Sequence, residues 1–396
     1  MQVHCGGAKK GDRVAMTRLN PCDTLAEDTM LSRRTCLALL VAAAVSAFAQ
    51  DARDTFEGVE RLVAIGDIHG DYDRFVGLLR VAKLIDDREA WTGGKSHLVL
   101  TGDFLDRGPA SAKVMDLLME LEGQAESAGG RVHAMIGNHE AMNVYGDLRY
   151  VPKEEYKSYA TPKSAEVRER ALKSALDDLS HKGAPPDKAE FRKKFEAEHP
   201  LGWVEHCLAF SPAGKYGKWI RRQNAVIKIN DLIFLHGGIS SKYAAMSRQE
   251  INRRVRDELE DFSKLEGGIV MDPDGPLWYR GLAQSPEYDK AVAATVDQVL
   301  KTQQARHIVI GHTPVPAIMP RFGGKVIAID VGLSKLYGGP PAFLLVEDSK
   351  YYAMHRGHRL DLPVNGTGLL QYLNAAATLD PPDSRLRKLL EKSRPQ

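Results

Sequence analysis

The sequence predicts an α/β protein, and three observations carry that expectation. Short apolar runs of strand length recur, among them Leu62-Val63-Ala64-Ile65 and His97-Leu98-Val99-Leu100. Segments with apolar residues at helical spacing lie between them, and strand–helix–strand alternation argues for a layered core. Five of the runs also end alike, in glycine beside Asp, Asn or His. These are Gly66-Asp67-Ile68-His69-Gly70, Thr101-Gly102-Asp103-Phe104-Leu105-Asp106-Arg107-Gly108, Gly137-Asn138-His139-Glu140, His236-Gly237-Gly238 and Gly311-His312. Open α/β sheets bind ligands beyond the carboxyl ends of their strands. One such loop is an ordinary turn; five at comparable strand ends are a ligand set.

Taken in order, residues 1–29 are polar, with no apolar period. Met30-Leu31-Ser32-Arg33-Arg34-Thr35-Cys36-Leu37 opens a basic stretch, an apolar stretch follows through Ala44, and Ala47-Phe48-Ala49 supplies a small-residue cleavage pattern. The expectation is a signal peptide over 30–49, translation starting at Met30, and residues 1–29 as a gene-annotation extension or a disordered leader. Ser32-Arg33-Arg34 with Leu37 resembles a twin-arginine signal, although Cys36 stands where such signals carry Phe, so the Sec route stays open. The apolar run is short for a bilayer, so no permanent membrane anchor is expected. Periplasmic or secreted location follows; a cytoplasmic protein with a buried helix at 37–48 is the competing reading. Cleavage after Ala49 leaves Cys207 as the sole cysteine and excludes an internal disulfide.

A catalytic domain is expected over 58–363. Its first strand leads to a helix over 71–84, with Phe75, Leu78, Leu79 and Ala82 on one face. A turn at 91–95 precedes the second strand. A second helix over 111–122 buries Val114, Leu117, Leu118 and Leu121, is closed by 125–130, and leads to a strand over 132–136. From 148 to 217 the pattern becomes charged and helical, with helices over 163–179 and 188–198 broken by Ala184-Pro185-Pro186. This stretch reads as a helical cap over the strand ends, or as a surface excursion held by its own charge pairs. Strands over 223–229 and 231–235 meet near Asn230-Asp231. A helix over 249–265, a loop over 275–281 and a helix over 286–303 follow, the last with Val292, Val296, Val299 and Leu300 inward. Strands at 307–310, 325–329 and 342–346 complete the sheets, and 364–396 forms a C-terminal helix and tail.

Among 396 residues the formal net charge is only +2, which gives no ground for a nucleic-acid or membrane-surface partner. The hydrophobic fraction of 43% is ample for a globular core. Cys5, Cys22, Cys36 and Cys207 form no zinc-ribbon spacing.

The loops GDIHG, GDFLDRG, GNHE, HGG and GH together resemble the phosphoprotein phosphatase branch of the binuclear metallophosphoesterases. The continuations Gly137-Asn138-His139-Glu140-Ala141-Met142-Asn143-Val144-Tyr145-Gly146-Asp147 and Gly275-Pro276-Leu277-Trp278-Tyr279-Arg280-Gly281 resemble its bacterial Shewanella-like subfamily. That resemblance, over roughly 60–360, implies a two-sheet αββα sandwich, an insertion after the GNHE loop, and two divalent metal ions: Mn, with Fe or Zn as alternatives. It implies Asp67 and His69 on the first metal, Asp103 bridging, and Asn138, His236 and His312 on the second. A bridging hydroxide then attacks phosphorus in line, without a phospho-enzyme. His139 is implied as general acid oriented by Asp106, and Arg107 and Arg280 as clamps on the phosphate oxygens. Glu140 is read as support for its turn, Tyr145 and Tyr337 as residues able to line the cleft, and His97, His133 and His206 as ordinary histidines. The function expected is phosphomonoester hydrolysis on phosphoproteins, at Tyr or Ser/Thr, with no partner subunit evident. The alternatives are a hydrolase of nucleotides or dinucleoside polyphosphates, and a non-catalytic phosphate-binding scaffold, which the complete ligand set argues against.

Overall fold

The computed structural model of the chain describes residues 53–181 and 187–392. The expected signal peptide, the leader before it and the Pro185-Pro186 break lie outside the described residues. Among those described, no helix is long and apolar enough to cross a membrane.

Two six-stranded sheets share one continuous hydrophobic core. The first runs β12-β11-β10-β2-β3-β4, with β2 Arg61–Ile65, β3 His97–Leu100, β4 Arg131–Ala134, β10 Ala342–Glu347, β11 Lys350–His355 and β12 His358–Asp361. The second runs β1-β5-β6-β7-β9-β8, with β1 Thr55–Phe56, β5 Val226–Ile229, β6 Leu232–Leu235, β7 His307–Ile310, β8 Met319–Arg321 and β9 Val326–Ala328. Strands β2, β3 and β4 are parallel, and Ile65, Leu100 and Ala134 pair in register. Strands β6, β7 and β9 are likewise parallel, with Leu235, Ile310 and Ala328 in register. In each sheet, therefore, three loops leave at one level. The interior sides of β2, β3, β6 and β7 are buried along almost their whole length, which is why these strands read as continuous apolar runs.

The two-sheet α/β architecture agrees with the expectation; several boundaries differ for local reasons. The helix expected over 71–84 is Tyr72–Val81, because Asp71 takes the N-cap and its side chain accepts the Arg74 N–H. The second helix runs on from Ser111 to Ser127, and Gly129 at φ +80 follows its end. The helix expected over 249–265 is Arg248–Glu260 followed by a 3₁₀ turn at Phe262–Lys264, and that expected over 286–303 begins only at Lys290, capped by Asp289. Beyond Ala134 the backbone bonds singly, Met135 N–H to Leu100 and Ile136 N–H to Asn224. The hairpin of β11 with β12 was not anticipated, and 364–396 holds two helices, Leu369–Leu379 and Arg385–Lys392, where one was expected. The inward face of the hairpin is narrow: Ala353 and His355 are the buried residues of β11, and β12 has none.

The excursion over 148–217 holds helices Ser164–His181, Lys188–Glu198 and Trp203–Phe210, and ends inside Lys215–Arg221. It has its own hydrophobic cluster, built from Val151, Tyr156, Ala171, Leu172, Phe195, Trp203, Val204 and Cys207. Apolar burial thus holds it together more than charge pairs; its Arg192–Glu169 pair is exposed and of a kind worth only ~0–1 kcal/mol.

Candidate active site

Loops after β2, β3, β4, β6 and β7 bring all ten sequence-assigned residues except Arg280 to the strand ends, and Arg280 joins them from the Gly275–Gly281 loop by donating to the His312 carbonyl at 2.9 Å. Five of the ten adopt the left-handed backbone region: His69 (φ 50), Asp103 (53), Asp106 (66), Arg107 (66) and His312 (65). For residues with a Cβ this costs of order 1 kcal/mol or more each, and such strain persists only where the surroundings enforce it. Glycine, with no Cβ, makes such turns without strain. Glycine does supply one, Gly102 at φ +101, but at Gly137 it supplies room instead: a Cβ there would lie 2.4 Å from Asp103 Oδ1.

Asp103 is the centre. Its Oδ2 lies 3.2 Å from His236 Nε2 and 3.8 Å from His139 Nε2, and its Oδ1 accepts the His139 N–H at 3.0 Å. Two groups of side chains, His69 with Asp103 and His139, and Asp103 with His236 and His312, each keep their ligand atoms within 4.8 Å of one another. Asp103 belongs to both. Asp67 stands beside the first group, Oδ2 3.9 Å from His69 Nε2, and accepts the His312 N–H at 3.0 Å. Asn138 Oδ1 meets His236 Nε2 at 3.0 Å.

The second nitrogens of these rings fix their tautomers. His69 Nδ1 faces the Leu105 carbonyl at 3.1 Å and His236 Nδ1 the Thr101 carbonyl at 2.9 Å. A carbonyl only accepts, so each Nδ1 donates, and in the neutral ring each Nε2 is left free to ligate, that of His236 toward Asp103 and that of His69 toward Asp67. In His312 the roles reverse, because Nε2 faces the Trp278 carbonyl at 3.1 Å. Burial lowers His69 to about 3 and His312 well below its ordinary value, so both rings are neutral at neutral pH. Burial alone would raise the Asp103 carboxyl, but His236 and His139 hold it well below the usual range. Asp67 goes the other way: burial, Asp330 and Asp103 push it well above. Buried imidazole nitrogens and mutually repelling carboxylates converging on one point fit divalent cations.

His139 is built differently. Its Nδ1 meets Asp106 Oδ2 at 2.6 Å, while Asn143 Nδ2 donates to Asp106 Oδ1 and to the His139 carbonyl, both at 2.9 Å. Burial would lower this imidazole, but Asp103 and Asp106 raise it above its ordinary value. A ring held by a carboxylate and biased toward protonation is arranged to donate a proton from Nε2. Arg107 has no carboxylate partner among the described residues, and its buried Nε has no hydrogen-bond partner.

Residues outside the sequence assignment complete the site. Glu140 accepts four backbone N–H groups: Asp103 at 2.7 Å and Gly137 at 2.8 Å on Oε2, Phe104 at 3.0 Å and Leu105 at 3.3 Å on Oε1. It thereby ties two metal-side loops together, a wider role than support of its own turn. Asp330, 1% exposed just beyond β9, puts a carboxylate at a sixth strand end; burial raises it to about 6. The signal was present, since Ile327-Ala328-Ile329-Asp330-Val331-Gly332 repeats the pattern of the other loops. Glu155, from the excursion, accepts from Ser111 and Ala112 N–H, both at 2.9 Å. Tyr337 reaches the site, its ring centroid 5.5 Å from that of His69, whereas Tyr145 packs against the main core and Tyr150 stands over His139 instead. His97, at the start of β3, pairs with His133 at 3.1 Å and lines a cavity of about 600 Å³ together with Phe56, Arg61 and Arg131.

This chain belongs to the calcineurin-like phosphoesterase family, whose profile matches residues 60–316, and it is a hydrolase of the metallophosphoesterase class. An uncharacterized protein of Schizosaccharomyces pombe is 34% identical over 303 residues, 74% of this chain and 80% of that one. Shewanella-like protein phosphatase 2 of Arabidopsis thaliana is 33% identical over 290 residues, 71% of this chain and 73% of that one. Among solved structures, a cold-active protein-tyrosine phosphatase of a psychrophilic Shewanella species matches with a TM-score of 0.61 at 29% identity, covering 78% of this chain and 82% of that one.

Proposed function

We propose that the chain is a binuclear metal-dependent phosphomonoesterase acting on phosphoproteins. The observation that carries this reading is one buried carboxylate, Asp103, shared by two histidine groups, with the His139–Asp106 pair beside it. The phosphatase names of the relatives support the substrate class. Asp67 and His69 would hold one divalent ion, Asn138, His236 and His312 the other, with Asp103 available to both. Manganese is the metal we assign, with iron and zinc equally matched to the oxygen and imidazole donors. When bound, such ions ionise water near neutral pH and neutralise phosphate charge.

The protein's own groups do the rest. Arg107 and Arg280 grip the phosphate oxygens in two-pronged fashion. A water oxygen bonds to phosphorus as the bond to the leaving oxygen breaks. His139 Nε2 gives that oxygen its proton and recovers one from water, while Asp106, steadied by Asn143, keeps the ring aimed. Export by the segment 30–49 is part of this proposal. A reporter fused to residues 30–60 should be secreted and trimmed near Ala49, and an uncut cytosolic fusion overturns export.

The test of function is phosphate release by protein starting at Gln50 and loaded with Mn. The panel holds phosphotyrosine peptide, phosphothreonine peptide, a mononucleotide and a dinucleoside tetraphosphate, with Asp103→Asn as blank. Peptide turnover well above the nucleotides is expected. The reverse order assigns the site to nucleotides.

A further inference from the structure

Tyr150 stands at the entry of the excursion, yet it belongs to the site. Its ring centroid lies 5.0 Å from that of His139 and 4.6 Å from the guanidinium carbon of Arg107, and its carbonyl accepts the Arg107 N–H at 3.0 Å. Tyr337 lies 5.7 Å from the same guanidinium carbon. Arg107 is thus framed by two phenol rings, with its buried Nε left for a ligand to satisfy. The two tyrosines differ in what they adjoin. Tyr337 stands against His69, on the metal side. Tyr150 stands against His139, where the leaving oxygen receives its proton, and the residue is 37% exposed overall.

A phosphate gripped by Arg107, with its leaving oxygen at His139 Nε2, places the leaving group beside Tyr150, whose ring borders both residues. An aryl ring gains an offset or edge contact at that position, which the CH or CH₂ of a threonyl or seryl leaving group does not. The wall is also rigid. Glu155, five residues on, binds the first two N–H groups of helix Ser111–Ser127, so the turn carrying Tyr150 is pinned to the loop carrying Asp106 and Arg107.

We propose that Tyr150 is the specificity-determining wall of a leaving-group subsite that selects aryl over alkyl phosphomonoesters, phosphotyrosine being the protein-borne case. The inference rests on the phosphoprotein reading for its natural substrate, but the subsite itself is testable without it. The Mn-loaded protein from Gln50, and its Tyr150→Ala, Tyr150→Phe, Tyr150→Leu and Tyr337→Ala variants, are assayed for kcat/KM on two matched pairs. One pair is a peptide carrying phosphotyrosine or phosphothreonine at the same position. The other is phenyl phosphate and glycerol phosphate.

In Tyr150→Ala and Tyr150→Leu the aryl-to-alkyl ratio should fall about three- to tenfold from the parent value in both pairs. Tyr150→Phe should keep the ratio within about twofold, and Tyr337→Ala should lower both members alike. The Leu variant, which keeps apolar volume, covers the case in which Ala does not fold. Parallel loss on aryl and alkyl substrates in the Tyr150 variants would mean the ring only braces Arg107, and overturns the proposal. If the parent ignores peptides while the small-ester ratio still depends on Tyr150, the phosphoprotein reading fails and the subsite stands.

Discussion

Replacing Glu155 by Ala tests how the excursion controls the catalytic loop. Helix Ser111–Ser127 starts after Ala110, which offers no capping side chain. Its first two N–H groups depend instead on the Glu155 carboxylate, 44 and 43 residues away, at 2.9 Å each. Glu155 is 0% exposed, so its removal orphans the buried Ser111 donor and the half-buried Ala112 donor. At ~1–3 kcal/mol for each unsatisfied buried group the loss spans ~2–6 kcal/mol, and partial entry of water into the hole brings the expected value to about 3 kcal/mol. Glu155→Gln keeps one acceptor oxygen and turns an amide NH₂ on the other donor, so it should lose roughly half as much. The functional effect follows from Ser111, whose Oγ accepts the Asp106 N–H at 3.1 Å. Freeing Ser111 loosens Asp106 and Arg107, and a small misplacement of the acid–base pair should lower kcat by about tenfold with metal content unchanged. Urea denaturation followed by tryptophan fluorescence, with metal analysis and kcat on the same samples, gives all three quantities. An Ala variant within ~0.5 kcal/mol of the parent and with parental kcat refutes the clamp, since surface changes of no structural consequence fall in that range.

Three further outcomes are expected. Asp103→Asn removes the one charge common to both histidine groups, so metal content should fall and phosphate release should drop to blank; two retained metals with measurable turnover refute the shared-ligand assignment. His139→Ala should keep its metals and lose about 10²- to 10⁴-fold in kcat, and near-parental rates in the metal-replete variant would end the general-acid assignment. His206, enclosed by Tyr156, Tyr159 and Phe210 in the excursion, is lowered by burial from 6.5 to about 3. The unfolded chain therefore binds its proton first as pH falls below 6.5, so the contribution is intact above 6.5 and is lost progressively toward 3. At pH 5 the loss is about 2 kcal/mol, from ~1.5 pH units at 1.36 kcal/mol each. Urea stability at pH 7.5 and 5 should fall by that much more in the parent than in His206→Phe, and equal losses would show that His206 is not the titrating group.

What the sequence made legible, and what it hid, follows the range of the interactions. Asp67, Asp103, Asn138, His236 and His312 each sit within a few residues of a buried apolar strand, so a short window contains both the strand and its ligand. The same window contains Asp330 after β9, and that residue was readable by the rule applied to the other five. Arg107 and His139 were equally local. Their immediate surroundings were not. Tyr150 meets His139 only because the chain turns back after helix Asn138–Tyr145, and five residues later Glu155 binds the start of another helix. Neither contact has a spacing a sequence pattern can carry. The left-handed backbone at His69, Asp103, Asp106, Arg107 and His312 was hidden for a related reason, since a strained conformation is imposed by the packed loops around it and not preferred by the residue itself.

The division has a functional meaning. The strand-end loops supply groups that any phosphomonoester needs, and they are local because rigid parallel strands deliver them in register. The excursion over 148–217 folds around its own hydrophobic cluster, and among the described residues it reaches the catalytic centre through Tyr150 and Glu155 at its near end. On the proposal made for Tyr150, the excursion adds selectivity to a catalytic centre that the strand-end loops supply. The near end of the excursion is joined to the catalytic loop by the two Glu155 bonds at the start of that helix and by the Arg107 N–H to Tyr150 carbonyl bond, so altering Glu155 should disturb the rate through Asp106 and Arg107 and the choice of ester through Tyr150 together.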